Sequence, residues 1–404
     1  MWRILYNILI HLSLPFFFAF LLLHGKARKT IGRRLRQKRP EKEKAIWIHA
    51  ASLGEAAIAE SLIKYLMGRT DLRDFILTTC TAYAEALLKR NMGTQAQVFL
   101  LPFDFPFLIR RFMRRSNFRA LVLVETEIWP NLIFEAKRKR IPVVVVNGRI
   151  SDRAFLRYLR FSFFFRKVFS LIDLALVQNG EAKERFCSLG VGRERVKITG
   201  NMKYFRHVGE RRNEKADIVT FGSIRERELS EILPVLFRLK EEFPSYRMFV
   251  APRELSLVSS LEGDLAGRFC VKRYSSYRGE ETDFVIVDTV GDLLQIYGMS
   301  KVAFVGGSLF PYGGQNILEP LFFGTPVLFG PHVENFKEIA EQVASSGAGK
   351  MVQNGEQLLH WIRRILRDEG LRQQMGMQGK RLIEEQERVM EHVKTSLLEI
   401  IGAS

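Results

Sequence analysis

The chain has 404 residues, 47% of them hydrophobic and 26% charged, which suits two globular domains with separate cores and no long biased tract. A net charge of +18 and a pI near 9.9 point to an anionic partner such as a phospholipid surface, an acidic substrate or nucleic acid. Three scattered cysteines, Cys80, Cys187 and Cys270, exclude a disulfide framework and a metal-ligand spacing, and they suit a reducing, cytosolic setting with Cys80 as a small buried hydrophobe.

From Trp2 to Leu23 the only charge is Arg3, and Leu14–Leu23 is intensely apolar. About 20 apolar residues cross a bilayer, so residues 1–24 are expected to form a membrane anchor. His24-Gly25-Lys26 follows the run instead of a small-x-small cleavage site, which argues against a cleaved signal peptide. A buried or interfacial helix is the alternative, because His11 and Pro15 interrupt the run. The basic block from Lys26 to Arg39 should stay on the cytoplasmic side of the inner membrane, by the positive-inside tendency, with the body of the protein behind it.

Short apolar runs then alternate with amphipathic segments. Strands are predicted at Ala45–His49, Phe75–Thr79, Gln97–Leu101, Ala120–Glu125, Pro142–Asn147 and Leu174–Gln178, with helices such as Glu55–Met67, Ala82–Arg90 and Leu132–Lys139 between them. Val143–Val146 is continuous β-branched sequence, as a parallel strand buried on both faces requires. A polar stretch, Arg206–Asp217, reads as a linker. Strands resume at Ile218–Gly222, Met248–Ala251, Phe284–Asp288, Val302–Gly306 and Val327–Gly330, with helices including Arg225–Glu242 and Asn335–Ala344. The expected architecture is α/β: two facing, doubly wound Rossmann-like domains, 25–212 and 213–404, with the site in the cleft at the carboxyl ends of their strands. A single large sheet is the alternative.

Several constellations follow strands. His49-Ala-Ala-Ser-Leu-Gly-Glu55 places a carboxylate in a first helical turn, where it either serves chemistry or complements the helix dipole. Glu125-Thr-Glu-Ile-Trp-Pro-Asn131 clusters two carboxylates that raise each other's pKa unless a cation intervenes, an arrangement more costly than capping alone requires. Thr199-Gly-Asn-Met-Lys203 presents a cation, although a lone lysine is usually solvated. In the second half, Phe221-Gly-Ser223 precedes a helix start suited to an anion. Pro252-Arg253 offers a guanidinium fork, and Asp288-Thr-Val290-Gly291-Asp292 opens another helix. Gly306-Gly307 and Gly313-Gly314 bracket an aromatic-proline loop that leads into Asn316-Ile317-Leu318-Glu319-Pro320. A carboxylate at Glu319 suits the two ribose hydroxyls of a nucleotide.

In this order the motifs resemble those of the 3-deoxy-D-manno-octulosonic acid (Kdo) transferases over nearly the whole chain. The resemblance implies a GT-B fold and an inverting transfer of Kdo from CMP-Kdo to the lipid A precursor, a phosphorylated, acylated glucosamine disaccharide. It implies no essential metal and no cofactor beyond the donor. It makes Glu55 the general base and Glu125 and Lys203 the groups that support the transition state. It makes Pro252, Arg253, Val290, Gly291, Asp292, Asn316, Ile317, Leu318 and Glu319 the CMP-binding positions. Three residues depart from the family pattern: Gln315 stands where His is usual, Asp292 where Glu is usual, and Val290 where Met is common.

A lipid acceptor suits the basic surplus. Phe103–Phe107 precedes Arg110, Arg111, Arg114 and Arg115, and Phe161–Phe165 is flanked by Arg157, Arg160, Arg166 and Lys167. Such segments suit a membrane interface or a core face with a basic exterior; the first reads better as core. Three rival readings remain. A GT-B transferase using a UDP-sugar on a membrane lipid would share the nucleotide loops. A catalytically dead, membrane-tethered nucleotide binder would not need Glu55, Glu125 and Lys203 together. A nucleic-acid binder is suggested by pI alone, with no recognition motif.

Overall fold

The computed structural model describes residues 6–8, 10, 12, 25–35, 40–205 and 215–402. Most of the expected anchor, 1–24, and residues 206–214 of the expected linker lie outside them. Among the described residues no helix is long and apolar enough to cross a membrane.

The chain divides into two compact units, Met1–His207 with Gln386–Ser404, and Val208–Glu385. The first holds seven parallel strands: β1 (Ala45–His49), β2 (Phe75–Thr79), β3 (Gln97–Leu100), β4 (Phe118–Val124), β5 (Val143–Gly148), β6 (Leu174–Val177) and β7 (Val196–Ile198), in the order β3-β2-β1-β4-β5-β6-β7. The second holds β8 (Ile218–Ile224), β9 (Arg247–Pro252), β10 (Val271–Arg273), β11 (Phe284–Ile286), β12 (Val302–Val305), β13 (Val327–Phe329) and β14 (Gly349–Met351), in the order β10-β11-β9-β8-β12-β13-β14. Every expected strand is present. The three that the sequence pattern did not reveal, β7, β10 and β14, are three-residue strands at sheet edges. An edge strand is half covered and mixed in polarity, as in Val271-Lys272-Arg273, so it lacks the apolar run that marks an interior strand.

Side chains of successive strand residues leave opposite faces. In β5, Val144 and Val146 enter one core layer with Ile46, Ile48 and Val122, while Val143 and Val145 enter the other with Trp47, Leu121 and Leu123. Both layers are covered by helices, which is why these strands tolerate no polar face.

The sequence places the whole of 213–404 in the second domain, but the terminal helix, Glu369–Gly402, is shared between the units. Met375 joins the second core, and Met390, Val393, Leu397 and Ile401 join the first. An amphipathic helix shows that it has an apolar face, not which core receives it.

Candidate active site

In a doubly wound sheet the ligand crevice lies where strand order reverses. In the first unit that point falls between β1 and β4, which are neighbours although far apart in sequence. The loops that leave them carry Glu55 and Glu125.

Helix Leu53–Arg69 starts on Ser52, whose hydroxyl accepts the Glu55 N–H at 3.3 Å. The Glu55 carboxylate accepts in return from the Ala51 N–H at 2.8 Å and the Ser52 hydroxyl at 2.7 Å. The capping reading of Glu55 is met: the reciprocal cap fixes the carboxylate, and each oxygen keeps a lone pair.

Glu125 has a positive φ of 58°, a conformation that costs a non-glycine residue energy and recurs at functional sites. Its N–H donates to Val146 O, and its carboxylate pairs with Arg149 Nε at 2.9 Å. Burial nevertheless raises its pKa, opposed by Arg149, with Glu55 raising and Lys203 lowering it further. Glu125 is thus near enough to both Glu55 and Lys203 to sense their charges. Lys203 is exposed and follows Met202, whose N–H donates to Asn147 Oδ1 at 2.9 Å. Arg149 and Asn147 were missed by the motif reading; both sit at the carboxyl end of β5, the same signal that marked the other loops.

Glu127 accepts from Trp129 Nε1 at 3.0 Å. Burial, then the charge of Glu55, raises its pKa to about 7. His49 is fully buried, and burial keeps it neutral, with its pKa held down to about 3. Its Nδ1 lies 3.1 Å from the Thr78 carbonyl, which assigns the proton to Nδ1 and leaves Nε2 a bare acceptor 4.0 Å from Glu127. Nε2 has no hydrogen-bond partner, and a protonated Glu127 nearby is compatible with its bare lone pair. The folded state therefore retains a proton on Glu127 that the unfolded chain has lost above 4.5. Stability should fall as pH rises from there through about 7, by at most about 3 kcal/mol. Glu127→Gln should flatten that fall, read as the difference between the two proteins' melting temperatures across the window.

The helix after this motif, Pro130–Arg138, lacks a local side-chain cap. Asp104 supplies one, accepting from the Asn131 and Leu132 N–H groups at 2.9 and 2.8 Å. Phe103 and Phe105 beside it are buried but Phe107 is exposed, so the core reading of that segment holds for two of its three rings, and in the second segment Phe161 and Phe163 are exposed and Phe164 is buried. Cys80 is half-buried, and burial pushes its thiol up to about 11.

In the second unit the reversal falls between β8 and β12. Glu228, fully buried, lies beneath it and was not singled out in the sequence. Its carboxylate accepts from the N–H groups of Arg225 (2.9 Å), Gly307 (2.7 Å), Ser308 (2.9 Å) and Leu309 (3.0 Å). The only hint in sequence was its capping distance from Arg225. A Cβ on Gly306 would stand 2.8 Å from Glu228 Oε2, which explains that glycine. The two glycine pairs meet, since the Gly314 N–H donates to Gly307 O at 2.8 Å. Gly330 closes the floor: its N–H donates to Ser308 Oγ at 2.8 Å, and a Cβ there would fall 2.1 Å from Ser308 O. That carbonyl belongs to backbone held by Glu228, so Gly330→Ala should cost about 1–3 kcal/mol, measured as a lowered urea midpoint.

The expected nucleotide positions lie at or after the carboxyl ends of β9, β11 and β12. Pro252 ends β9, buried, and Arg253 follows it exposed, with no ion pair among the described residues. Val290 is 87% exposed beside Gly291, whose φ is 109°, and Asp292 accepts from the Thr289 hydroxyl. Asn316 Nδ2 donates to Glu319 at 3.3 Å, orienting that carboxylate. Ile317 and Leu318 are fully buried, so only their backbone can meet a ligand. Gln315 is half-buried and packs over Gly307. Arg225, also missed by the motif reading, pairs with Glu254 and lies 5.2 Å over the Tyr312 ring.

Residues 28–206 match the profile of a family described as 3-deoxy-D-manno-octulosonic-acid transferase (kdotransferase). The chain is also 32% identical over 348 residues to the 3-deoxy-D-manno-octulosonic acid transferase of Chlamydophila psittaci, covering 81% of this chain and 79% of that protein. The chain belongs to the Kdo transferase family. A further member, from Aquifex aeolicus, is 30% identical, with 80% and 86% covered. A bifunctional glycosyltransferase/methyltransferase of Fusobacterium nucleatum is 32% identical over 89% of this chain, but the match spans only 59% of that longer protein. Among solved structures, Acinetobacter baumannii MurG aligns with a TM-score of 0.54 at 13% identity (88% and 99% covered), and a UDP-N-acetylglucosamine 2-epimerase with 0.55 at 13% (90% and 98% covered). At such identity the likeness concerns the fold alone, two parallel-sheet α/β domains of GT-B type.

Proposed function

We propose that this family member transfers Kdo from CMP-Kdo to the phosphorylated, acylated glucosamine disaccharide of the lipid A precursor, with inversion. The observation that carries this reading is the convergence of Glu55, Glu125 and Lys203 at the reversal point of the first sheet. Glu55 takes the proton of the acceptor hydroxyl, whose oxygen bonds to the anomeric carbon of Kdo while CMP departs with the electrons of the broken bond. The donor carries a carboxylate and a phosphate. Lys203 supplies preorganised positive charge to this pair in the transition state, and Glu125, locked by Arg149, holds that electrostatic frame. Arg253 and the carboxylate of Glu319 suit the phosphate and ribose of CMP. The departing group is a monophosphate, so the proposed route assigns no step to a metal.

The deciding assay supplies CMP-Kdo, generated in situ, and a tetraacylated lipid A precursor in detergent, and reads mass added in single-Kdo steps. Excess CMP should inhibit and excess UDP should not. No transfer by a folded, CMP-binding protein would overturn the reading in favour of another sugar donor.

We also propose that residues 1–24 anchor the chain in the inner membrane with both units on the cytoplasmic side. The apolar run and the basic block support this. Against a crossing helix, Tyr6 stacks on Phe164 at 4.8 Å and donates to Asp104 at 3.2 Å, contacts that suit the alternative of a buried or interfacial helix lying on the first unit, and carbonate extraction separates the two. Helix Asp152–Arg160 buries no residue, and Leu156, Leu159, Phe161 and Phe163 are exposed beside Arg153, Arg157, Arg160 and Arg166, a composition that suits anionic phospholipid. Deleting residues 1–24 should move the protein out of the carbonate-resistant membrane fraction; retention there would remove the anchor.

A further inference from the structure

The second unit contains an open cavity of about 630 Å³ that the transfer reaction does not use. Lys215, Lys301 and Pro326 on its wall precede β8, β12 and β13, so it opens at the amino ends of these strands. The nucleotide loops described above leave the carboxyl ends. The opposite wall is the first part of helix Glu369–Gly402, from Glu369 to Lys380. Gly376 makes the close approach possible: a Cβ there would stand 2.5 Å from Gly324 O. The wall is therefore packed backbone, not a surface loop.

Four cations line the cavity, Lys215, Lys301, Arg372 and Lys380, against one carboxylate, Glu369. Lys301 is neutralised by Asp217, and Arg372 donates to the Ile365 carbonyl at 3.1 Å and stands 3.6 Å from Glu369. Lys215 and Lys380 are different. Lys215 Nζ donates to Gly298 O at 2.9 Å and to the Thr325 hydroxyl, neither of which carries charge, and an ammonium has a third proton to give. Lys380 has no acidic partner among the described residues. The two ammonium groups repel each other, and desolvation followed by the charge of Lys380 lowers Lys215 to about 7. Paired like charges in a half-enclosed pocket, with no carboxylate between them, are relieved by a bound anion.

We propose that this cavity is a binding site for a phosphate-class anion, bridged by Lys215 and Lys380 with Arg372 at its edge. Lys215 stands just inside the point where the chain enters the second unit, and Lys380 just before the point where it leaves. A bound phosphate therefore clamps the two connecting segments to the base of the sheet. The site stands independently of the donor assignment, and its occupant is either free phosphate or the headgroup of an anionic lipid.

The test uses the full chain in detergent with saturating CMP. Inorganic phosphate is titrated against chloride at constant ionic strength, and the melting temperature is read along with heats of binding. Wild type should show a saturable stabilisation. Lys380→Gln, which removes the charge and shortens the side chain without introducing a carboxylate, should weaken it about tenfold, as loss of one charge-assisted bond predicts, and Lys380→Arg should retain it. Binding to phosphatidylglycerol vesicles that falls in Lys380→Gln, with no saturable effect of free phosphate, assigns the site to a lipid headgroup. No saturable response to either probe, or equal responses in wild type and Lys380→Gln, overturns the proposal. CMP binding and Kdo transfer, measured on the same proteins without added CMP, show whether the donor reading stands or falls separately.

Discussion

Glu55→Gln is expected to lower the turnover number by about 10²–10⁴-fold, the usual contribution of a positioned base, while leaving CMP affinity unchanged. The amide keeps one carbonyl oxygen to accept from the Ala51 N–H or the Ser52 hydroxyl, so the helix start survives with a loss of about 1 kcal/mol at most. What disappears is the ability to take a proton. The proposed CMP positions belong to the other unit, so nucleotide binding by calorimetry serves as an internal control. Glu55→Asp sharpens the result. It keeps the base but withdraws it by one methylene, and should fall between wild type and Gln if position matters. Equal transfer by wild type and Glu55→Gln would leave Glu55 as a helix cap and nothing more.

Glu228→Ala should have the largest effect on the second unit. Four backbone N–H groups lose their common acceptor, three of them successive in the loop Gly307-Ser308-Leu309. Each orphaned buried donor costs about 1–3 kcal/mol, so even two left without water would remove on the order of 2–6 kcal/mol, a large share of a domain's stability. The loop frames the Gly313-Gly314 turn and, through it, Asn316 and Glu319. CMP affinity should therefore be lost at temperatures where the circular dichroism of the variant is still native. Glu228→Gln keeps an acceptor on one side and turns an amide towards donors on the other, so it should fall between. An unchanged CMP affinity in folded Glu228→Ala would show that the loop holds itself without the carboxylate.

Much of this molecule was legible in its residues. Val143–Val146 read as an interior parallel strand because no polar residue interrupts it, and the structure covers both its faces. The alternation of such runs with amphipathic helices marked a parallel α/β architecture, the pairing of the strands separated it into two sheets, and the glycine pairs marked where backbone must approach backbone. The loops after strands marked Glu55, Glu125 and Glu319 as residues delivered to sheet ends. Composition and spacing fixed these because burial and hydrogen-bond satisfaction act residue by residue along a strand or a helix.

Other features were decided by the tertiary structure. Strand order put β1 beside β4, and only that adjacency brought Glu55 and Glu125 within electrostatic range. Glu228 reads in sequence as one more charge on a helix start, yet it is wholly buried because four amide protons converge on it from two loops. Glu127 and His49 owe their protonation states to desolvation, which a sequence does not display. The terminal helix gave no sign that its apolar face would be divided between two cores. In each case the physical reason is the same: periodicity records which face a residue takes, whereas a partner distant in sequence is chosen only when the chain packs.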